Sequence, residues 1–371
     1  QGAFMKNTFG NNLTVTLFGE SHGTAIGAVM DGVPSGVRID MDIISRMVNQ
    51  RKAAGTISTG RKEDDIPEFV SGVKNGVTEG TPIAFFIQNK NVHSSDYNAL
   101  ENIARPSHAD YAGHVKYRGN EDASGGGHFS GRLTAPLVVC GAICMCMLKE
   151  KNISIGTHIS RMMDITDRPF DENDLLHDIE ICNGKTFSTL DDEKGQAMIA
   201  LINDARNRQD SVGGILDTAV VGMDAGVGEP EFDSVESMLS HALFSIPACK
   251  GVMFGSGFDF ASMYGSKAND AFTMKDGKVT TVTNHNGGIN GGITNGMPIR
   301  FQTVFKPTPS IAQKQQTVNF KTHENVEVEI HGRHDPAIIH RARVVVDAMC
   351  AITLVDLLIT RHGTMYFGEE R

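Results

Sequence analysis

The sequence has no tryptophan, few cysteines and only short apolar runs. The last two features argue against a disulfide-rich protein and against a membrane-spanning one. The six cysteines form no CxxC pair and no zinc-ligand spacing, which favours reduced thiols in a cytoplasmic protein over a disulfide framework. The longest apolar run covers only residues 135–148, whereas a bilayer-spanning helix needs about 20 residues. The segment Met5–Gly10 is too polar for a secretory signal. We therefore expect a soluble protein.

Positive charge is also scarce, because 34 basic residues face 44 acidic ones and the net charge is −10. Such a chain is a poor candidate for binding nucleic acid or an anionic membrane. Its histidines mostly adjoin arginines, and no HExxH spacing occurs, so we expect no metal site. What the chain does have is apolar material, at 40%, and an unusual 40 glycines. These values indicate a globular protein in which backbone turns tightly or approaches other groups closely.

The hydrophobic pattern predicts groups of strands joined by hairpins, with helices between the groups. A hairpin over residues 70–87 turns at Asn75-Gly76, which suits a two-residue turn. Residues 53–65 have no periodicity and predict an exposed loop. The other predicted strands lie near residues 13–18, 26–30, 215–222, 252–260, 297–305 and 325–331, and the predicted helices follow Asp40 and cover residues 134–149, 191–207, 233–244 and 337–361. This arrangement favours an α+β fold over a parallel βαβ sheet.

An internal repeat indicates how these elements combine. The segment GVTEGTPIAF at 76–85 matches GITNGMPIRF at 292–301, and a weaker echo links residues 30–33 with 223–227. We infer a single domain over residues 1–371 made of two pseudo-equivalent halves, roughly 5–190 and 191–367. Each half would be a sheet with helices on one face. Packing the halves helix to helix predicts a four-layer β-α-α-β sandwich.

Four polar clusters place histidine, arginine, serine or aspartate among glycines. They are the loop after the first long strand (19–23), the segment RPSHADY (105–111), the glycine loop before the buried helix (124–132) and the segment HGRHDP (331–336). The glycine loop leads into a helix, where backbone amides and the helix dipole favour an anion such as phosphate. Simpler explanations stay open: Ser107 could cap a helix with Asp110 in its first turn, and Asp335 could cap the helix that Pro336 opens.

In these clusters the chain resembles the chorismate synthase family. The shared motifs are FGESHG at 18–23, RPSHADY at 105–111, the GGG…S…R…T loop at 125–134, NHNGGINGG at 284–292, KPTPS at 306–310 and GRHDP at 332–336. They occur in the family's order and span the chain from about 5 to 367. The resemblance implies a lyase that converts 5-enolpyruvylshikimate 3-phosphate to chorismate and phosphate by anti-1,4-elimination, with reduced FMN as cofactor. It also implies a homotetramer and the same β-α-α-β sandwich.

The resemblance assigns roles by matching position. His22 would protonate the departing phosphate, His108 would protonate or stabilise the reduced flavin, and Asp335 would assist proton transfer beside it. The arginines implied to bind substrate are Arg51, Arg105 and Arg132. The residues implied to bind the cofactor are His128, Phe129, Ser130, Ala248, Gly291, Lys306, Pro307, Thr308, Pro309, Ser310 and Arg333.

The chain departs from the family pattern where His128, Gly131 and Leu133 replace the usual Arg, Ala and Glu, and where Pro247 replaces a frequent Asn. No GxGxxG fingerprint follows a strand, so we expect an external flavin reductase to supply reduced FMN in place of NADPH used by the chain itself. Two alternatives stay open: a flavin-dependent oxidoreductase acting on a phosphorylated small molecule, and a non-catalytic protein that binds a phosphoryl ligand.

Overall fold

The computed structural model describes residues 6–53, 55–58, 64–90, 102–122, 124–330 and 335–369. Its first large sheet is antiparallel, with spatial order β1-β2-β3-β7-β4. The strands of this sheet are β1 (Thr8–Phe9), β2 (Thr14–Gly19), β3 (Ala25–Asp31), β4 (Glu68–Ser71) and β7 (Ile83–Gln88). Between β4 and β7, β5 (Val73–Lys74) and β6 (Val77–Thr78) form the predicted hairpin. Both Asn75 and Gly76 have positive φ in its turn, as a type I′ turn requires.

The second large sheet is also antiparallel, with spatial order β11-β16-β10-β8-β9. Its strands are β8 (Ser154–Met162), β9 (Ile165–Thr166), β10 (Gly214–Val221), β11 (Cys249–Phe254) and β16 (Ile299–Phe305). The remaining strands of the described residues form three small hairpins: β12 (Phe272–Lys275) with β13 (Lys278–Thr281), β14 (Ile289–Asn290) with β15 (Ile293–Thr294), and β17 (Lys314–Asn319) with β18 (Glu324–Glu329).

Two long buried helices lie between the sheets and give the predicted layers. The helices are α1 (Met41–Arg51), α2 (Asp110–Tyr117), α3 (Thr134–Glu150), α4 (Leu175–Gly184), α5 (Asp192–Asn207), α6 (Val235–Phe244), α7 (Gly265–Ala268) and α8 (Ile339–His362). Helix α3 packs on β2 and β3, α8 packs on β8 and β10, and the two helices pack on each other. The α+β fold is thus confirmed. Helix α3 belongs to a segment, Gly131–Glu150, that is long and apolar enough to cross a membrane, but it is buried in the interior as a core helix.

Helices α3 and α8 run parallel and in close contact. A Cβ on Gly141 would lie 2.3 Å from Cβ of Ala348, so glycine is required for this approach. The first turns of the helices are also joined, because Arg51 donates a hydrogen bond to Thr134 and accepts one from Arg341. Seven positions separate Thr134 from Gly141 in α3, and seven separate Arg341 from Ala348 in α8. Both N-termini therefore point to the same region of the molecule.

The sheets repeat the same order of elements, which supports the proposed duplication. Strands β2, β3, β7 and β4 of the first sheet occupy the places that β8, β10, β16 and β11 occupy in the second. Helix α1 follows β3 as α6 follows β10, and α3 follows β7 as α8 follows β16. We therefore propose that the halves meet between Glu150 and Ser154, earlier than the boundary near residue 190 expected from the sequence.

The loop over residues 53–65 differs from the expectation of an exposed segment. Residues 54 and 59–63 lie outside the described part of the chain, but Ile57, Ser58 and Asp65 are buried. Ser58 Oγ bonds Nε2 of His340, 2.7 Å away. Burial, followed by the charge of Arg341, lowers the pKa of His340 to about 3, so its ring is neutral. Sequence periodicity could not show this burial, because the partners come from the last helix.

A buried histidine holds the outer face of the second sheet to the segment before α4. Nδ1 of His158 lies 2.7 Å from Asp167 Oδ2, and Nε2 lies 3.9 Å from Asp217, a carboxylate that Arg300 also binds. Burial lowers the pKa of His158, but its interactions with Asp167 and Asp217 outweigh burial and raise the pKa above the ordinary value. The two carboxylates therefore favour the protonated form of this buried ring.

The raised pKa of His158 predicts a pH-dependent stability. A raised folded-state pKa contributes stability that is fully present below the unfolded pKa of about 6.5 and is lost as pH rises through the folded pKa. Urea unfolding at several pH values from 6 upward should show a larger loss of unfolding free energy in the wild type than in His158→Gln. The control His177→Gln, at an exposed position of α4, should keep the wild-type slope. Equal slopes in wild type and His158→Gln would contradict the assignment.

Candidate active site

The loop after β2 and the glycine loop before α3 hold each other in place. Ser21 N donates to Gly127 O at 3.1 Å, and His128 Nδ1 donates to Gly19 O at 2.9 Å. The three glycines 125–127 all have positive φ. A Cβ at Gly125 would lie 1.9 Å from Cε1 of His22, so only glycine lets the imidazole pack against this backbone. The His22 ring thus packs directly against the backbone of the glycine loop.

The glycine loop leads into α3, whose N-terminus lies beside that of α8. Ser130 Oγ accepts a hydrogen bond from Arg132 N at the start of the helical segment. Because helix dipoles are positive at their N-termini, two parallel helices that begin side by side favour a bound anion there. The buried helix predicted from residue 134 is thus confirmed, and its partner α8 adds a second positive end.

Two of the predicted substrate arginines meet at one buried carboxylate. Asp65 Oδ2 lies 2.6 Å from Arg51 Nη2, and Asp65 Oδ1 binds Arg132 Nη1. All three side chains are at most 5% exposed. Burial would raise the pKa of Asp65, but the charges of Arg51 and Arg132 outweigh burial and keep that pKa below its ordinary value. Asp65 is thus an ionised counter-ion shared by both arginines.

Asp335 and Arg341 extend this cluster to the start of α8. Arg341 Nη1 pairs with Asp335, and Arg341 Nε donates to the carbonyl of Arg51 at 2.9 Å. Asp335 does not cap the helix, which begins at Ile339 without a side-chain cap. This alternative from the sequence is therefore wrong. The neighbouring residues 331–334, which include the predicted flavin contact Arg333, lie outside the described part of the chain.

His108 lies between its own segment and the KPTPS segment. Its Nδ1 donates to Pro106 O at 3.1 Å, and its Nε2 lies 2.8 Å from Ser310 Oγ. Lys306 Nζ donates to Ser107 O at 2.8 Å, which adds a second bond between the segments. Burial, and after it the charge of Arg105, lower the pKa of His108. The ring is therefore neutral at pH 7 in this state.

Arg105 and Asp110 form a two-pronged ion pair inside the RPSHADY segment. The guanidinium donates to both carboxylate oxygens, at 2.8 and 2.7 Å. Helix α2 begins at Asp110, and Ser107 has φ of 60° and does not cap it. The alternative in which Ser107 caps the helix is therefore wrong, because the N-cap position falls at Ala109.

Further contacts connect the KPTPS segment to Asp335. Ser211 Oγ donates to Thr308 O at 2.6 Å, and the next residue, Val212, donates its N–H to Pro336 O at 2.8 Å. Lys306 N donates to the carbonyl of Ala248, a non-glycine residue with φ of 71°. Pro307 is exposed and Pro309 is half-buried in the same segment.

These contacts join into a closed circuit around one site. Helix α2 completes it, since Gly113 packs against the ring of Phe129 at the end of the glycine loop, where Phe129 is 42% exposed. The circuit passes from the His22 loop through the glycine loop, α2, His108, Ser310, Thr308, Pro336, Asp335, Arg341, Arg51, Asp65 and Arg132, and returns to the His22 loop through Asn89. Segments that are far apart in the sequence are therefore linked to one another by direct contacts.

An open cavity of about 580 Å³ adjoins this circuit at His22 and Asn89, with Phe86 and Gln88 also in its wall. Gly291 is the one described candidate that these contacts do not reach. It lies in the β14–β15 turn, beside Gly292, whose carbonyl accepts from Val235 N at the start of α6. Ala248 follows the other end of α6. The assignment of Gly291 to the flavin stays a prediction.

Three residues of the site were missed from the sequence: Asp65, Asn89 and Arg341. Asp65 lies in a segment without periodicity, and Asn89 directly follows a strand. Arg341 lies in the first turn of a predicted helix, where a cation is unfavourable, and that anomaly is the one signal the sequence offered. Among the described residues, no group of three or more His, Cys, Asp or Glu side chains is placed to hold a metal ion.

Asp65→Asn tests the shared counter-ion. The change leaves two buried guanidinium groups without their carboxylate, and breaking a buried ion pair costs about 3–5 kcal/mol of stability. We expect urea unfolding to show a loss of that order. The control is Asp64→Asn, since Asp64 is 73% exposed and lies 3.7 Å from exposed Lys90; it should leave the unfolding free energy unchanged. A loss in the control equal to that in Asp65→Asn would refute the role of Asp65.

Comparison with known proteins identifies the family of the chain. The family model described as chorismate synthase matches residues 13–359. The chain belongs to the chorismate synthase family. It is 42% identical over 356 residues to the chorismate synthase of Dehalococcoides mccartyi, covering 96% of this chain and 97% of that protein. With the chorismate synthase of Pyrococcus abyssi it shares 42% identity over 353 residues, which cover 95% and 98% of the two chains.

A solved structure described as a crystal structure of chorismate synthase superposes with a TM-score of 0.76 at 26% identity, covering 96% of this chain and 94% of that chain. The resemblance and the fold class expected from the sequence are both confirmed. Chorismate synthases are carbon–oxygen lyases of aromatic biosynthesis, and the chain is an enzyme of this class.

Proposed function

We propose that the chain converts 5-enolpyruvylshikimate 3-phosphate to chorismate and phosphate by anti-1,4-elimination with reduced FMN bound. In this reaction the C3–O bond to phosphate and the C6–H bond break, a second ring double bond forms, and there is no net redox change. The observation that carries the proposal is the closed circuit of contacts. It links an acid–base histidine, a buried arginine pair, two helix N-termini and the His108–Ser310 pair to one another.

The residues of the circuit suit a polyanionic substrate. His22, packed on Gly125, would protonate the phosphate as it leaves. Arg51 and Arg132 lie at the positive ends of α3 and α8 and would stabilise the charge that develops on that phosphate. Arg105, which Asp110 holds, would add positive charge beside His108. The net charge of −10 therefore says nothing against an anionic ligand, because the local charge here is positive.

The cofactor residues fit a group that carries hydroxyls and a phosphate. Oγ1 of Thr308 is buried and has no hydrogen-bond partner among the described residues, as expected of a hydroxyl that awaits a ligand. Lys306 supplies a cation next to it, and Ala248, Pro307, Pro309 and Ser310 form the adjoining backbone. His128, Phe129 and Ser130 would contact the cofactor from the glycine loop. When bound, reduced FMN supplies electron density that eases cleavage of the C3–O bond.

A turnover assay tests the proposal. Under anaerobic conditions, with 5-enolpyruvylshikimate 3-phosphate and dithionite-reduced FMN, chorismate and phosphate should appear together, and with the flavin left oxidised they should not. Absence of chorismate under the reducing condition would refute the proposal. A binding protein without activity would bind the substrate and leave it unchanged.

We also propose a homotetramer in the cytoplasm that depends on an external flavin reductase. The exposed aromatic side chains Phe258, Tyr264 and Phe272, at 66–85% exposure, support assembly, since surfaces of this kind are typical of interfaces. The six cysteines are free and buried, which suits a reducing compartment. Light scattering tests the assembly.

An assay with NADPH and oxidised FMN tests whether the chain needs an external reductase to reduce the flavin. Turnover in that assay would contradict the need for a reductase.

A further inference from the structure

The side chain of Asn89 binds two separate parts of the site at once. It directly follows β7, and its Nδ2 donates to the carbonyls of Glu20, at 3.1 Å, and Gly23, at 2.8 Å. Its Oδ1 accepts from Arg132 Nε at 3.2 Å. Carbonyls only accept and a guanidinium only donates, so chemistry fixes which way the amide points. Every polar atom of this side chain is therefore used.

The two groups that Asn89 joins have distinct roles in the proposed reaction. Glu20 and Gly23 bracket His22, so the amide closes the loop that carries the acid. On the other side, Asn89 and Asp65 bind Nε and Nη1 of Arg132 and so fix the plane of its guanidinium. The backbone N–H of Asn89 also donates to Thr24 O at 3.1 Å, which fixes the register of the loop against β7.

We propose that Asn89 is a positioning residue that sets His22 and Arg132 in register with each other around the leaving phosphate. The inference rests on the proposed function, because it needs His22 as the acid. It explains why an amide stands here. A carboxylate of the same size would repel both loop carbonyls and would give Arg132 a second anion beside Asp65. An apolar side chain would release both groups.

A small displacement of His22 is expected to lower the rate strongly. A displacement of about 1 Å at a reacting group can lower a rate by 10²-fold, since catalysis depends on near-attack geometry. His22 lies in a loop of five residues between β2 and β3 that also packs on Gly125 and is bonded from Ser21 to Gly127. Loss of the Asn89 bonds frees one side of this loop.

A double-mutant cycle separates positioning from folding. Asn89→Ala and Asn89→Asp should each lower kcat for chorismate formation by about 10²-fold in the wild-type background. In the His22→Ala background, where the acid is already missing, the same changes should cost less than 10-fold. The control Asn183→Asp removes a bond of the same kind, from Asn183 Nδ2 to Ile155 O at 2.9 Å, and should leave kcat unchanged.

Each other outcome has one interpretation. Equal losses in both backgrounds would overturn the proposal and leave Asn89 with a structural role only. Unchanged kcat in both Asn89 variants would also overturn it. If Asn89→Ala does not fold, as judged by circular dichroism, the isosteric Asn89→Asp carries the test. An inactive wild type would refute the proposed function itself, whereas an active wild type with additive losses refutes only the coupling.

Discussion

Replacing His22 with alanine is expected to lower chorismate formation by about 10² or more, the usual contribution of a general acid. The phosphate leaves as a multiply charged anion, and His22 is the acid–base side chain that the glycine loop presents to the space beside Asn89. The assay is the anaerobic one with dithionite-reduced FMN. Substrate affinity should change much less than kcat, because the arginines proposed to bind the substrate stay in place.

The matched control for His22 is His177→Ala, since His177 is exposed on α4 and the described contacts do not connect it to the site. It should keep full activity. Full activity in His22→Ala would remove the assigned role, and an equal loss in both variants would point to general damage.

A second large effect is expected from His108→Ala, again about 10² or more in chorismate formation. His108 bonds Ser310 in the segment assigned to the flavin, and in this state its pKa is lowered by burial and by Arg105. An anionic ligand next to the ring stabilises the imidazolium, so binding should raise that pKa and charge the ring. The loss in His108→Ala should therefore fall on kcat in the flavin-loaded protein.

His114→Ala is the control for this prediction. His114 lies in α2, pairs with Glu121 at 3.0 Å and is 40% exposed, and it should behave as wild type. An NMR titration of His108 should show a higher pKa with FMN and substrate than without them. An unchanged pKa together with unchanged turnover in His108→Ala would contradict the role.

The sequence predicted best those elements whose pattern is set by burial alone. Helix α3 is apolar on nearly all sides, α8 is buried along most of its length, and both were located to within a few residues. Strand β8 was missed, since Thr157 and His158 break its apolar run; in the structure they bind Asp347 and Asp167 from other elements. Local pattern cannot reveal partners that are distant in the chain.

The site, too, could be predicted only where its residues are marked by a local sequence pattern. The motifs located His22, His108 and the glycine loop, because glycines and charges that adjoin a strand or helix end are visible in sequence. They did not show that Asp65 joins Arg51 to Arg132, or that Arg341 joins Asp335 to Arg51. Those contacts form only when α3 and α8 run side by side. The resemblance supplied the proposed roles, and the fold supplied the contacts among these residues.

The most direct test of the account counts reductant against product in one anaerobic sample over many turnovers. The account predicts one phosphate released for each chorismate formed, while dithionite or reduced FMN is consumed only in the small amount needed to keep the flavin reduced. Consumption of one reductant for each product would contradict it and identify an oxidoreductase.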